Sequence, residues 1–148
     1  MSSGLFETVM VPIADPDDAR QTARAVRAHL DGDSTLIVTH VVPKGEGVPD
    51  KASVEQRERF AERSYEAFVD EIGGGVTEIT PLTLYGREVA ETIVDGAVDA
   101  DATTIAFTPR GVSGWTKLLG KSITDRLIER SSVPVVVLPP PSENGETE

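Results

Sequence analysis

The 148-residue sequence contains no cysteine, which excludes disulfides, thiolate metal sites and a cysteine nucleophile. Its two histidines, His29 and His40, are too few for a histidine-rich metal cluster. No apolar run approaches the roughly 20 residues of a membrane span. The first residues have neither the basic nor the apolar segment of a secretory signal. We therefore expect a cytoplasmic protein with no membrane partner.

Basic residues are scarce. Lys and Arg total 14 against 25 Asp and Glu, which gives a formal net charge of −11. A nucleic-acid surface or a polybasic membrane patch needs clustered Lys and Arg, so neither is expected. Only 4 of the basic residues are lysines. Because concentrated salt screens the repulsion between carboxylates, this composition suggests the hypothesis of a halophilic source.

Short β-branched apolar runs alternate with amphipathic segments along the chain. The runs predict strands at residues 6–13, 35–42, 77–85, 103–107 and 133–138, and the segments between them predict helices at 17–30, 52–72, 87–99 and 122–130. Strands that are apolar on both faces and alternate with helices indicate an α/β fold with an open, mostly parallel sheet. Pro81 lacks an N–H, so the third strand is expected at a sheet edge. We expect one domain over residues 1–138 and a disordered acidic tail over 139–148.

In such a sheet, ligands bind beyond the carboxyl ends of the strands, where the strand order reverses. The loops after Ile13, Val42 and Phe107 are therefore the ones to consider. The third of these loops, residues 108–122, carries three glycines and ends at the start of a predicted helix, a pattern typical of phosphate sites. It also holds three of the cations, namely Arg110, Lys117 and Lys121.

Two interpretations of this loop remain open from its chemistry. The cations recognise a phosphate-like ligand, or they pair with the protein's own carboxylates. A Walker A loop is excluded, because Trp115 stands where that motif requires its first glycine. His40 lies near the end of an apolar strand, and we interpret it as a core or rim histidine rather than a catalytic base.

Several landmarks in order resemble the universal stress protein (UspA-like) family over most of the chain. The matching segments are Val9-Met-Val-Pro-Ile, Thr39-His-Val-Val-Pro, Tyr85-Gly-Arg, Thr108-Pro-Arg-Gly-Val-Ser-Gly and Arg130-Ser-Ser-Val-Pro-Val-Val-Val-Leu. The resemblance implies an adenine-nucleotide alpha-hydrolase-like sheet in the order 3-2-1-4-5, with two helices on each face. It also implies a homodimer that pairs through the last strand. Since an apolar edge strand favours such pairing, we expect an interface that uses Val135 and Val137 or Val136 and Leu138.

One subclass of this family binds ATP through Gly-x2-Gly-x9-Gly-Ser/Thr, and the other does not bind it. On that motif Gly111 and Ser122 match, whereas Thr108 and Lys121 replace glycines. The family's nucleotide-contacting Asp falls on Ala14. The implied nucleotide site consists of Pro12, Ala14, Asp15, Val41, Thr108, Arg110, Gly111, Gly114, Lys121 and Ser122, with Val41 holding the adenine through its backbone.

The sequence therefore predicts a regulatory module that holds an adenine nucleotide, ATP or AMP, with Mg²⁺ as a candidate cofactor. The alternative is a dimeric interaction protein of the same fold that binds no nucleotide and acts through an unidentified protein partner. No Ser-His-Asp set and no paired acid and base are visible, so we expect at most slow ATP hydrolysis.

Overall fold

The computed structural model describes residues 4–30, 33–43, 51–73, 78–108 and 123–139. These residues form five strands and four helices: β1 Thr8–Pro12, α1 Pro16–His29, β2 Thr35–Pro43, α2 Lys51–Ile72, β3 Glu78–Gly86, α3 Val89–Asp99, β4 Thr104–Phe107, α4 Ile123–Arg130 and β5 Val135–Val137. Within this part of the chain, no helix is both long and apolar enough to cross a membrane.

The strands form one parallel sheet in the order β3-β2-β1-β4-β5, as predicted. Strand β1 is central, with β2 on one side and β4 on the other. Strand β3 is an edge strand, and Pro81 in it lies opposite Val38. The missing N–H of Pro81 thus falls where a strand has only one neighbour.

Alternate residues of the strands face two separate hydrophobic cores. Helices α1 and α2 cover one face, where Val9 and Val38 pack against Phe68. Helices α3 and α4 cover the other face, where Met10 packs with Ile93 and Leu127. The expectation of two helices on each face is confirmed, and it follows from strands that are apolar on both sides.

The terminal strands are shorter than predicted. The first was expected over residues 6–13 and spans Thr8–Pro12, and the last was expected over 133–138 and spans Val135–Val137. Proline has no N–H to donate, so Pro134 contributes only its carbonyl, which accepts from the Ile105 N–H at 2.9 Å. Leu138 still donates its N–H to the Phe107 carbonyl at 2.8 Å. Ser122, the expected first residue of the last helix, lies outside the described residues.

Two glycines lie where α3 approaches β3. A Cβ on Gly86 would lie 2.0 Å from Thr92 Oγ1 and 3.0 Å from Thr92 Cβ. The Thr92 hydroxyl is fixed by donating to the Glu88 carbonyl at 2.6 Å. A Cβ on Gly96 would lie 2.7 Å from Leu84 Cδ1, which is the end of a flexible side chain. A side chain at Gly86 would therefore be harder to accommodate than one at Gly96.

We predict that Gly86→Ala lowers the free energy of unfolding by about 1–3 kcal/mol, the usual cost of overpacking. Gly96→Ala is the matched control. Its smaller clash is offset by the higher helix propensity of alanine, up to about 1 kcal/mol. Urea unfolding of both variants at one salt concentration measures the difference. An equal loss for the two variants would contradict the role of the Thr92 contact.

Candidate functional site at the carboxyl edge of the sheet

The carboxyl ends of three strands meet where the strand order reverses. Strand β1 ends at Pro12, which lies in register with Thr39 of β2. Strand β2 continues to Pro43, and β4 ends at Phe107 on the other side of β1. In this register Phe107 lies level with Pro12, so β2 alone projects past the end of β1 and borders a recess beyond it.

The backbone of Val41 borders this recess. The Ile13 N–H donates to the Thr39 carbonyl at 2.8 Å, so the backbone groups of Thr39 face β1. Alternation along a strand directs the N–H and C=O of Val41 to the same side, beyond the end of β1. The side chain of Val41 is buried in the core beneath α3. The polar groups that Val41 can offer a ligand are thus those of its main chain.

Two carboxylates organise the turn after β1. Asp15 is the N-cap of α1, and its Oδ1 accepts from the Asp18 N–H at 2.6 Å. Asp18 is buried, and its Oδ2 accepts from the Ala14 N–H at 2.8 Å. Asp15, Asp17 and Asp18 are all residues typical of a helix N-cap, but their order in the sequence does not reveal that Asp18 closes the turn from within the helix.

His40 joins the same turn to α2. Its Nδ1 lies 3.1 Å from the Ile13 carbonyl oxygen, and its ring meets Phe60 edge-on with centroids 5.8 Å apart. The residue is 8% exposed, in keeping with a core or rim position. Burial lowers the pKa of His40, while the Ile13 carbonyl and Asp15 act in the opposite direction. The sequence signal for this position is the alternation of side chains along β2, which places His40 on the same face of the sheet as Val38.

Thr108 follows β4 directly and is 5% exposed. Its hydroxyl is buried and has no hydrogen-bond partner among the described residues. A buried hydroxyl in this state usually has a function or an unseen partner. Pro12 is buried at the end of β1. The remaining predicted ligand residues, Arg110, Gly111, Gly114, Lys121 and Ser122, lie outside the described residues.

The described part of the chain does not contain a group of side chains suited to bind a metal ion. No group of three His, Asp or Glu side chains there is arranged to hold a metal ion. The chemistry that the described residues offer at this edge consists of main-chain hydrogen bonding at Val41, a buried hydroxyl at Thr108 and a rigid turn at Ala14. These features suit binding of a polar molecule.

The sequence matches the universal stress protein family over residues 5–139. The chain belongs to this family. The match covers every described strand and helix, so the resemblance noted from the sequence landmarks is confirmed. The sequence matches no protein of curated function.

Solved universal stress proteins share the fold. One from Arabidopsis thaliana, with AMP bound, is 15% identical over 96% of this chain and 97% of its own, with a TM-score of 0.65. One from Archaeoglobus fulgidus, in complex with dAMP, is 18% identical over 91% of this chain and 99% of its own, with a TM-score of 0.57. A third, in complex with cAMP, is 20% identical over 89% of this chain and 95% of its own, with a TM-score of 0.52. These likenesses show the fold.

We predict that His40 makes stability depend on pH. Because the folded protein disfavours the imidazolium, the unfolded chain takes up a proton first as the pH falls through about 6.5. Stability from this source is fully present above that pH and is lost below it, by at most about 1.4 kcal/mol per pH unit. His40→Asn keeps an N–H donor near the Ile13 carbonyl and does not titrate.

The measurement is urea unfolding of wild type and His40→Asn between pH 7.5 and 5.5. The free energy of unfolding of wild type should fall relative to that of the variant as the pH is lowered. His29 is present in both proteins and cancels from the comparison. A difference that stays constant across this range would refute the assignment to His40.

Proposed function

We propose that this universal stress protein binds an adenine nucleotide, ATP or AMP, in the recess beyond β1. The observation that carries the proposal is the direction of the Val41 backbone. A main-chain N–H and C=O on one strand edge offer a donor and an acceptor. Adenine presents an amino donor beside ring-nitrogen acceptors, so the two edges are complementary. Pro12 and Ala14, at the end of β1 and just after it, would lie beside the base.

The phosphates would lie toward the end of β4. Thr108 places a buried hydroxyl there, which has no hydrogen-bond partner among the described residues and lies at the start of the segment that carries the family's motif. Gly111 and Ser122 match that motif, and Arg110 and Lys121 add positive charge in an acidic chain. Charge-assisted hydrogen bonds from these cations would favour a polyphosphate, with Mg²⁺ as its counterion. Solved family members that carry AMP, dAMP and cAMP support the choice of an adenine ligand.

The second candidate function is a dimeric interaction protein without nucleotide. One observation favours it. Ala14 has no carboxylate where the resemblance places a nucleotide contact, and the neighbouring Asp15 already accepts a hydrogen bond as the cap of α1. An adenine nucleotide would therefore bind here without the acidic contact of the nucleotide-binding subclass. ATP binding by the purified protein separates the two functions.

We predict that wild type binds ATP and that Gly111→Val abolishes binding, because a branched side chain replaces the backbone surface that phosphate approaches. Calorimetric titration in molar KCl, the condition that the acidic composition favours, should be performed with and without Mg²⁺. Gly4→Val is the matched control, since a Cβ on Gly4 meets nothing within 4 Å.

Thermal unfolding should show that both valine variants remain folded. Lys121→Gly restores the glycine of the motif and serves as a second comparison. If neither wild type nor Lys121→Gly binds ATP at millimolar concentration, the nucleotide proposal fails and the interaction protein is favoured. If Gly111→Val and wild type bind equally, the proposed position of the phosphates fails.

We also propose a homodimer in which β5 pairs with β5 of a second copy. This strand is at the edge of the sheet, and an unpaired edge of three consecutive valines invites association. Val137 is 42% exposed, while Val135 and Val136 are half-buried. Leu138 is 4% exposed and packs in the chain's own core. The surface left for a partner is therefore the backbone edge of β5 with Val137.

We predict that Val137→Lys converts the dimer to monomers, because two lysines would face each other across the two-fold interface. Light scattering at micromolar protein should give the mass of two 15.8-kDa chains for wild type and of one for the variant. Val98→Lys on α3 is the control, since Val98 is 49% exposed and away from this edge. A monomeric wild type, or a dimeric Val137→Lys, would contradict the proposed interface.

A further inference from the structure

A cleft of about 610 Å³ lies between the end of β2 and α2, a volume typical of small-molecule sites. Its described lining comes from these two elements and includes His40, Val42, Phe60, Arg57, Arg59 and Arg63. It lies on the face of the sheet covered by α1 and α2. Among the described residues neither Ala14 nor Thr108 lines the cleft, and His40, whose Nδ1 reaches the Ile13 carbonyl, lies between the cleft and the recess beyond β1.

The cleft gathers positive charge in an acidic protein. Three of the chain's 14 basic side chains line it, although the net charge is −11. Arg59 forms an ion pair with Glu55 at 3.9 Å, in which both side chains are mostly exposed. Such pairs contribute little, so the Arg59 guanidinium can exchange this partner for a ligand at small cost. A local concentration of guanidinium groups favours an anion.

The apolar part of the cleft favours a ligand that contains a flat ring. The Arg63 guanidinium carbon lies 5.8 Å from the centroid of the Phe60 ring, and no carboxylate pairs with Arg63 in the described part of the chain. Phe60 is half-buried, and Val42 provides apolar surface beside it. A flat ring can stack on this surface while its charged group reaches the arginines.

We propose that this cleft binds a small planar aromatic anion, in which a ring carries a carboxylate, sulfonate or phosphate group. The ring packs on Phe60 and Val42, and the anionic group bonds to the guanidinium groups, with Arg63 as the principal partner. This proposal does not depend on nucleotide binding, because neither Val41 nor Thr108, on which the nucleotide proposal rests, belongs to the described lining of the cleft.

The experiment uses naphthalene-2-sulfonate as the probe and the imidazole resonances of the full chain as the readout. The chain has two histidines, so each gives one assignable signal, confirmed with His29→Gln. The probe should shift the His40 signal saturably and leave that of His29, at the end of α1, unchanged. Neutral 2-naphthol and ring-free methanesulfonate should each bind at least about tenfold more weakly.

Two variants and one control locate the site. Arg63→Gln removes the charge and Phe60→Leu removes the ring, and each should weaken the probe about tenfold or more. Arg130→Gln, at an exposed arginine of α4, should leave the affinity unchanged. Thermal unfolding checks that each variant is folded.

Three results would overturn the proposal. The first is an unchanged His40 signal at 10-millimolar probe, a concentration chosen to exceed a Kd of about 1 mM. The second is equal affinity for the probe and for 2-naphthol, which would remove the role of charge. The third is equal affinity of wild type and Arg63→Gln, which would place the anion elsewhere.

Discussion

The structure depends on the burial of β1 on both faces and its pairing on both edges. Val9, Met10 and Val11 are fully buried, and they contribute alternately to the two cores. A strand in this position must be apolar throughout, and its neighbours must be parallel if helices are to cover both faces. Once β1 is fixed, the helix layers follow, and so does the recess, because β1 stops at Pro12 while β2 continues to Pro43.

Features with local causes could be predicted from the sequence. The apolar runs predicted the strands. Pro81 predicted the edge position of β3, because a missing N–H is a property of a single residue. The cap of α1 could be narrowed to three neighbouring aspartates, but only the geometry selects Asp15. The lengths of the first and last strands in the sequence, β1 and β5, were overestimated. In the last strand, Val133 is as β-branched as Val135 but has no partner in the ladder.

Features that join distant residues could not be predicted. The contact between His40 and the Ile13 carbonyl spans 27 residues and depends on the register of β1 against β2. The arginine cleft depends on the rotation of α2 about its axis. From the sequence, the run from Glu55 to Glu66 is typical of a solvated helix face with ion pairs such as Glu55–Arg59. That ion pair is present, but the same turns of α2 also face the end of β2.

The contact of His40 with Ile13 has a consequence for where the sheet stops. After the bond from the Ile13 N–H to the Thr39 carbonyl, the next ladder bond would run from the Val41 N–H to the Ile13 carbonyl. That bond is not formed among the described residues, and the imidazole of His40 lies against this carbonyl instead. The imidazole of His40 thus lies where the next bond of the β1–β2 ladder would form. The main-chain N–H of Val41 is therefore not used by the β1–β2 ladder in the described part of the chain.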